Sequence, residues 1–234
     1  MDDPVTGRTI LPGRTILLSG GTSRAGAVVA AAGLAAGATV LVAGRDPHKL
    51  DRLRAEVAGI ATFRCDLTDE ADVDALRSAV HAAHGAVDGI LHLVGGWRGG
   101  GGLAGQTETD YRALETSLTA LRLVSRAFDA DLRASDAGRE AIVSSTAVAR
   151  PLAGGANYAA VKAACEAWTR AVAQGFAKAA RDADEPQRAA AVIFRVRALA
   201  GLEQTLADAF LGLWSASAAD LGTEPVELGA GTPN

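Results

Sequence analysis

At 234 residues the chain is long enough for one α/β domain, or two small ones, with an ample core. A formal net charge of −4 argues against a nucleic-acid footprint, and Cys65 and Cys165 stand too far apart for a metal motif and read as buried structural thiols. Met1-Asp2-Asp3-Pro4 is acidic and unlike a secretion signal, and no apolar run is long enough to span a membrane, so a cytoplasmic protein is expected.

Residues 1–13 read as a loose leader ahead of a single domain over 14–234. Thr15-Ile16-Leu17-Leu18 predicts a first strand, followed by a glycine turn and a helix to about Ala36 that Gly37 ends. Thr39-Val40-Leu41-Val42 predicts the second strand, and Asp46-Pro47 opens the next helix with a capping residue and a first-turn proline. Ala61-Thr62-Phe63-Arg64 predicts the third strand, with Thr68 as the expected cap of the helix after it. Ile90 to Val94 predicts the fourth strand, and the glycine-rich loop Gly95 to Gly105 carries Trp97. Helices are expected over about 108–134 and 156–180, with the apolar run Ala141-Ile142-Val143-Ser144 between them as a buried strand. Arg181 to Arg188 reads as a surface loop, Ala190 to Phe194 as the sixth strand, 203–215 as a last helix and Pro225 to Leu228 as an edge strand. Such alternation implies a parallel sheet with helices on both faces.

The chemistry centres on Tyr158, Lys162 and Ser145. Tyr158 and Lys162 are four residues apart, which on a helix stacks both side chains on one face. Ser145 is expected at the C-terminal end of a strand, where ligands of open α/β sheets bind. A phenol with an unperturbed pKa near ~10 is a poor acid or base at neutral pH. A neighbouring ammonium favours the phenolate and lowers that pKa. A serine hydroxyl can hold a substrate oxygen beside the phenol, and the three together suit proton transfer to or from a carbinol or carbonyl. Lys49, Lys162 and Lys178 are the only lysines in a chain that otherwise uses arginine, which makes Lys162 less easily read as filler.

The Ser-Tyr-x-x-x-Lys set, a glycine turn after the first strand and the strand pattern together resemble the short-chain dehydrogenase/reductase family from about Arg14 to about Gly229. The resemblance implies a doubly wound Rossmann fold, a seven-stranded parallel sheet, in one dinucleotide-binding catalytic domain. The family's Thr-Gly-x-x-x-Gly-x-Gly falls on Ser19 to Gly26: Gly20 and Gly26 match its first and third glycines, and Arg24 takes the second. Gly20, Thr22, Ser23, Arg24 and Gly26 would therefore border the cofactor phosphates at a helix N-terminus. Arg24 gives up some close approach and offers a charge-assisted contact instead. Arg45, after the second strand, suits a 2′-phosphate where an acidic residue would suit a bare ribose, so NADP(H) is the expected cofactor; a solvated surface charge is the other reading of Arg45. Asp66 and Leu67 resemble the pair that meets the adenine, and Gly95 is what survives of the family's Asn-Asn-Ala-Gly. His92 reads as a packed or capped histidine, with an active-site role as the other reading. Ser117 aligns with the family's helix asparagine, which supports a water relay to the lysine. The family's Pro-Gly after the sixth strand is missing from Phe194 to Gly201, and the substrate lid is much shortened, which leaves the site open on that side.

The resemblance implies an NADP(H)-dependent carbonyl reductase or alcohol dehydrogenase. Tyr158 would be the acid, Lys162 would lower the tyrosine pKa and hold the nicotinamide ribose, and Ser145 would orient the carbonyl. Trp97 either stacks on a flat substrate ring or packs against its own loop. Asn157 reads as a helix cap, and Arg150 and Pro151 as neighbours of the pocket or a solvated loop. The expected substrate is a compact, polar, cyclic ketone, with a nucleoside-like heterocycle among the candidates and secondary-metabolite tailoring as the setting. Rival readings are a non-redox enzyme of the same fold and a cofactor-binding protein with a degraded site. A homo-oligomer, tetramer or dimer, is expected through the two long helices, whose alanine-rich stretches permit close approach.

Overall fold

A computed structural model describes residues 11–229. Seven parallel strands form one sheet in the order β3-β2-β1-β4-β5-β6-β7. They are β1 (Thr15–Ser19), β2 (Thr39–Gly44), β3 (Ala61–Arg64), β4 (Gly89–His92), β5 (Arg139–Ser145), β6 (Ala190–Val196) and β7 (Val226–Glu227). The helices are α1 (Arg24–Ala35), α2 (Pro47–Glu56), α3 (Glu70–His84), α4 (Glu108–Ala134), α5 (Ala156–Asp182) and α6 (Glu203–Gly212).

The sheet is apolar on both faces because helices cover both, as parallel sheets require. Successive strand residues point to opposite faces. Ile16, Leu18, Val40 and Val42 pack with α1 and α6 residues such as Val29, Leu206 and Phe210. Leu17, Leu41 and Ile90 pack on the other face with Val73, Val124, Phe128 and Phe176, from α3, α4 and α5. Chain order runs outward from β1 through β2 to β3, then returns to β4 on the other side of β1. The strand order thus reverses between β1 and β4, the place where open α/β sheets bind ligands beyond their strand ends.

Helix starts follow side-chain chemistry. Ser23 caps α1 by accepting from the Gly26 N–H, and Asp46 caps α2 by accepting from the His48 and Lys49 N–H groups. Gly37 lies just past α1 with φ of 88°, a conformation that favours glycine. Two expected caps are corrected. Thr68 spends its hydroxyl on Asp66 Oδ1 at 2.7 Å, so Asp69 caps α3 instead and accepts from the Asp72 N–H. Asn157 lies inside α5, and its amide nitrogen donates to the Thr107 carbonyl at 3.3 Å. The fourth strand stops at His92, short of the expected Val94, and the last helix gives way to a 3₁₀ turn over Leu213–Ser215. Of the expected leader, residues 1–10 lie outside the described residues; Leu11 is fully buried, and its N–H donates to the Ala36 carbonyl.

Candidate active site

The C-terminal ends of β4, β5 and β6, with Ser23 from the turn after β1, open into a cavity of about 1000 Å³. Ser145, Tyr158 and Lys162 all line it. Ser145 ends β5, and its hydroxyl also caps the following 3₁₀ turn by accepting from the Ala147 N–H at 3.1 Å. Tyr158 and Lys162 stand one turn apart in the first two turns of α5. The Lys162 ammonium donates to the Val143 carbonyl at 2.7 Å, which bridges the helix to the strand that carries Ser145. Burial holds the Lys162 pKa below the ordinary lysine value, against the opposing pull of Cys165 and Glu166. Gly95 lies beside that ammonium, where an added Cβ would come within 3.4 Å of it, an ordinary contact.

The mouth is built from the glycine-rich loop. Gln106 Nε2 donates to the carbonyls of Gly100 and Gly154, and its Oε1 accepts from the Asn157 N–H. One side chain thus ties the loop to the start of α5, just before Tyr158. Trp97 lines the cavity with 66% of its surface exposed, as does Leu152 with 77%. A Cβ on Gly99 would lie 3.2 Å from Trp97 Cζ2, so one edge of the indole rests on its own loop.

A second, smaller cavity of about 350 Å³ continues from the first, sharing Ser23, Leu93, Val94 and Gly95. Gly20, Thr22, Arg45, Asp66 and Leu67 line it, as expected, and so does Lys49. The glycine turn is dictated by contact. A Cβ on Gly26 would meet the Gly21 carbonyl oxygen at 1.9 Å, and Gly20 combines φ of 76° with a Cβ position 2.6 Å from Val94 Cγ2. The turn therefore cannot carry bulk, and it delivers the chain to the N-terminus of α1 beside Ser23. A glycine floor, a helix N-terminus, a basic pair at one end and a Tyr-Lys pair at the other fit an extended nicotinamide dinucleotide.

Three expected site residues, Gly26, Arg24 and Ser117, line neither cavity. The Arg24 side chain is 86% exposed, with Glu203 Oε1 at 3.8 Å. Ser117 is buried on α4; its hydroxyl donates to the Leu114 carbonyl at 2.9 Å. The Ser117 carbonyl is engaged by His92 Nε2 at 3.0 Å, and His92 Nδ1 lies 3.2 Å from the Ser19 hydroxyl. A backbone carbonyl only accepts, so Nε2 carries the proton and Nδ1 accepts from Ser19. Burial, helped by the Lys162 charge, drives the His92 pKa down to about 3, so the ring is a neutral brace between β1, β4 and α4.

The profile of the short chain dehydrogenase family matches residues 14–180, well over half of the chain. The chain belongs to that family. A provisionally assigned daunorubicin C-13 ketoreductase of Streptomyces sp. (strain C5) is 35% identical over 91 residues, 37% of this chain and 32% of that protein. A 2,5-dichloro-2,5-cyclohexadiene-1,4-diol dehydrogenase of Sphingobium indicum is 37% identical over 83 residues, 35% of this chain and 33% of that protein. The alignments thus span about a third of the curated relatives' length. Among solved structures, a short-chain dehydrogenase from Pseudomonas syringae superposes with a TM-score of 0.83 at 19% identity, covering 97% of this chain and 99% of that one. A metagenomic short-chain oxidoreductase in complex with NADP gives 0.79 at 24% identity, covering 94% and 96%. At such identities the likeness speaks for the fold alone. No described helix is long and apolar enough to cross a membrane.

Three features of this short-chain dehydrogenase escaped the sequence reading. Lys49 reaches the second cavity from α2, one turn past Arg45, and its rarity in the chain was a usable signal. Arg197 lines the first cavity directly after β6. Glu166, one turn beyond Lys162, is buried and accepts from Ser144 Oγ at 2.7 Å and from Arg195 at 2.7 and 2.6 Å. Only the pairing of β5 with β6, which sets Ser144 opposite Arg195, brings those partners together.

Proposed function

We propose that the chain is an NADP(H)-dependent carbonyl reductase acting on a small cyclic ketone, with alcohol oxidation as the reverse direction. The observation that carries this reading is the convergence of Ser145, Tyr158 and Lys162 on one cavity at the strand ends. A nicotinamide dinucleotide, which Tyr158 and Lys162 would hold at its nicotinamide end, would supply hydride chemistry there. Tyr158 gives its phenolic proton to the carbonyl oxygen, so that ketone, hydride and proton add up to the alcohol. Ser145 donates a hydrogen bond to the same oxygen and orients it. Lys162, hydrogen-bonded to β5, in its charged form favours the phenolate that remains, and solvent at the open mouth returns the proton. Water can reach the mouth because only residues 197–202 separate β6 from α6, too few for a covering lid.

The preference for NADP(H) rests on Arg45 and Lys49, two cations beside the adenosine end of the groove. Asp66 accepts from the Thr68 hydroxyl and N–H, and these bonds hold its pKa below the usual range against the small opposing effect of burial. Kinship with ketone- and cyclic-diol-active relatives supports a ring substrate, and secondary-metabolite tailoring is the setting we favour. We also take the protein to be a cytoplasmic homo-oligomer joined through α4 and α5. A second reading, a cofactor-binding protein without turnover, draws on the engagement of the Ser117 carbonyl by His92, which closes the route a water relay would take. The deciding experiment follows NADPH absorbance in the presence of cyclic ketones. Ketone-dependent NADPH consumption that tracks alcohol formation is expected; tight NADPH binding with no consumption would favour the second reading.

A further inference from the structure

The substrate end of the large cavity is basic. Its lining includes Arg150 and Arg197 as well as Lys162, and no aspartate or glutamate. This stands out in a chain whose formal net charge is −4. The two arginines leave neighbouring strands: Val196, just before Arg197, pairs with Ser145, and Arg150 lies in the connection from Ser145 to Tyr158. Both are exposed, and among the described residues neither forms an ion pair or a side-chain hydrogen bond. Other mouth and turn arginines are spoken for: Arg98 faces Asp110 at 4.0 Å, and Arg24 faces Glu203. Clefts lined by one sign of charge focus the field and concentrate a ligand of the opposite sign.

We infer that the carbonyl substrate is anionic, a ring ketone bearing a carboxylate that Arg150 and Arg197 receive while Ser145 and Tyr158 hold its oxo group. The inference rests on the reductase reading for the oxo group, but not for the anion. A guanidinium fork matches a carboxylate with two parallel bonds, and it retains its charge at any working pH. Trp97 and Leu152 supply apolar walls at the same mouth for the ring between the two polar ends. The open lid side suits this arrangement, since charge rather than enclosure selects the ligand.

The test compares 4-oxocyclohexanecarboxylate with its methyl ester, a neutral ligand of the same ring. Calorimetry on the NADP⁺-loaded chain, where neither ketone can be reduced, gives both dissociation constants. The acid is expected to bind at least about tenfold more tightly than the ester, a difference of about 1.4 kcal/mol, and its advantage should shrink as salt is raised. Arg150→Met with Arg197→Met should bring the two ligands to parity, and each single variant should lose part of the preference. Equal or tighter binding of the ester, no measurable binding of the acid, or a preference that survives both substitutions would overturn the assignment. NADPH consumption is scored separately. Arginine-dependent binding of the acid without reduction of either ketone would leave the anion site standing and remove the reductase reading. Reduction of both ketones without preference would do the reverse.

Discussion

Lys162 of α5 donates to the Val143 carbonyl at 2.7 Å, two residues before Ser145 on the same strand. That bond fixes the ammonium between helix and sheet and leaves its other protons directed elsewhere. Burial lowers the Lys162 pKa, so the charged form, which the proposed chemistry needs, is lost at a lower pH than for an ordinary lysine. The alkaline limb of kcat/KM should therefore fall within the range below the ordinary lysine pKa. Lys162→Met should reduce kcat/KM by about 10² or more, and the pH profile of the residual rate should lose that limb. A variant with a wild-type profile would show that Lys162 is not the titrating group.

Glu166 ties the same helix to two strands through Ser144 and Arg195, with Arg170 Nη2 a further donor at 3.1 Å. Burial pushes its pKa up, but the bonds from Arg195 and Ser144 outweigh burial and hold it below the usual range. Glu166→Leu, which strands the Arg195 charge, should lower stability by about 3–5 kcal/mol, and adding Arg195→Met should recover most of the loss. Urea unfolding of the two single variants and the double variant checks it. A double variant no more stable than the worse single would mean that the pair is not coupled.

The contrast between these two sites shows what the sequence makes legible. Apolar runs bounded by glycines and caps gave away β1, β2, β5 and β6, and α4 runs over Glu108–Ala134 as its pattern predicts. Tyr158 and Lys162 were legible because their relationship is local, one helical turn. Glu166 and Arg195 meet only through the packing of α5 on β6, and Ser144 joins them through the register of β5 with β6, neither of which any local spacing encodes. Thr68 and Asp69 were confused because both are capping residues, and the choice depended on Asp66 taking the threonine hydroxyl. Ser117 aligned with a family position, but alignment does not reveal that His92 holds its carbonyl.

Glu140 is a second buried carboxyl with a different consequence. On β5 it accepts from Ser125 at 2.5 Å, while its other oxygen has no partner among the described residues. Burial, partly offset by Ser125, raises its pKa to about 7. Because the folded value lies above the unfolded one, the stabilisation is full below the unfolded pKa and is lost as pH rises through about 7. Glu140→Gln should remove that dependence, gaining on the wild type by on the order of 3 kcal/mol between about pH 4.5 and pH 8. Urea midpoints at both pH values decide it; a constant difference between variant and wild type would contradict a shifted Glu140.

Arg45 and Lys49 flank the adenosine end of the groove, whereas Arg24 points away from both cavities. NADPH should bind more tightly than NADH. Arg45→Ala should erase most of that preference, by about 1.5–3 kcal/mol for a charge-assisted bond, with a smaller loss for Lys49→Ala. Arg24→Ala should leave the preference intact. Fluorescence titration of both cofactors with each variant measures it, and equal wild-type affinities would rule out the 2′-phosphate reading of Arg45.

In the proposed reaction the Tyr158 hydroxyl gives the proton to the substrate oxygen. Tyr158→Phe keeps the ring that packs against the apolar cluster containing Leu114, Val161 and Cys165 and removes only the hydroxyl. Single-turnover reduction of a cyclic ketone should be followed by NADPH absorbance, with cofactor affinity measured on the same preparation. The single-turnover rate should fall by about 10²–10⁴ while NADPH affinity stays close to wild type. A rate within a few-fold of wild type at unchanged affinity would contradict it.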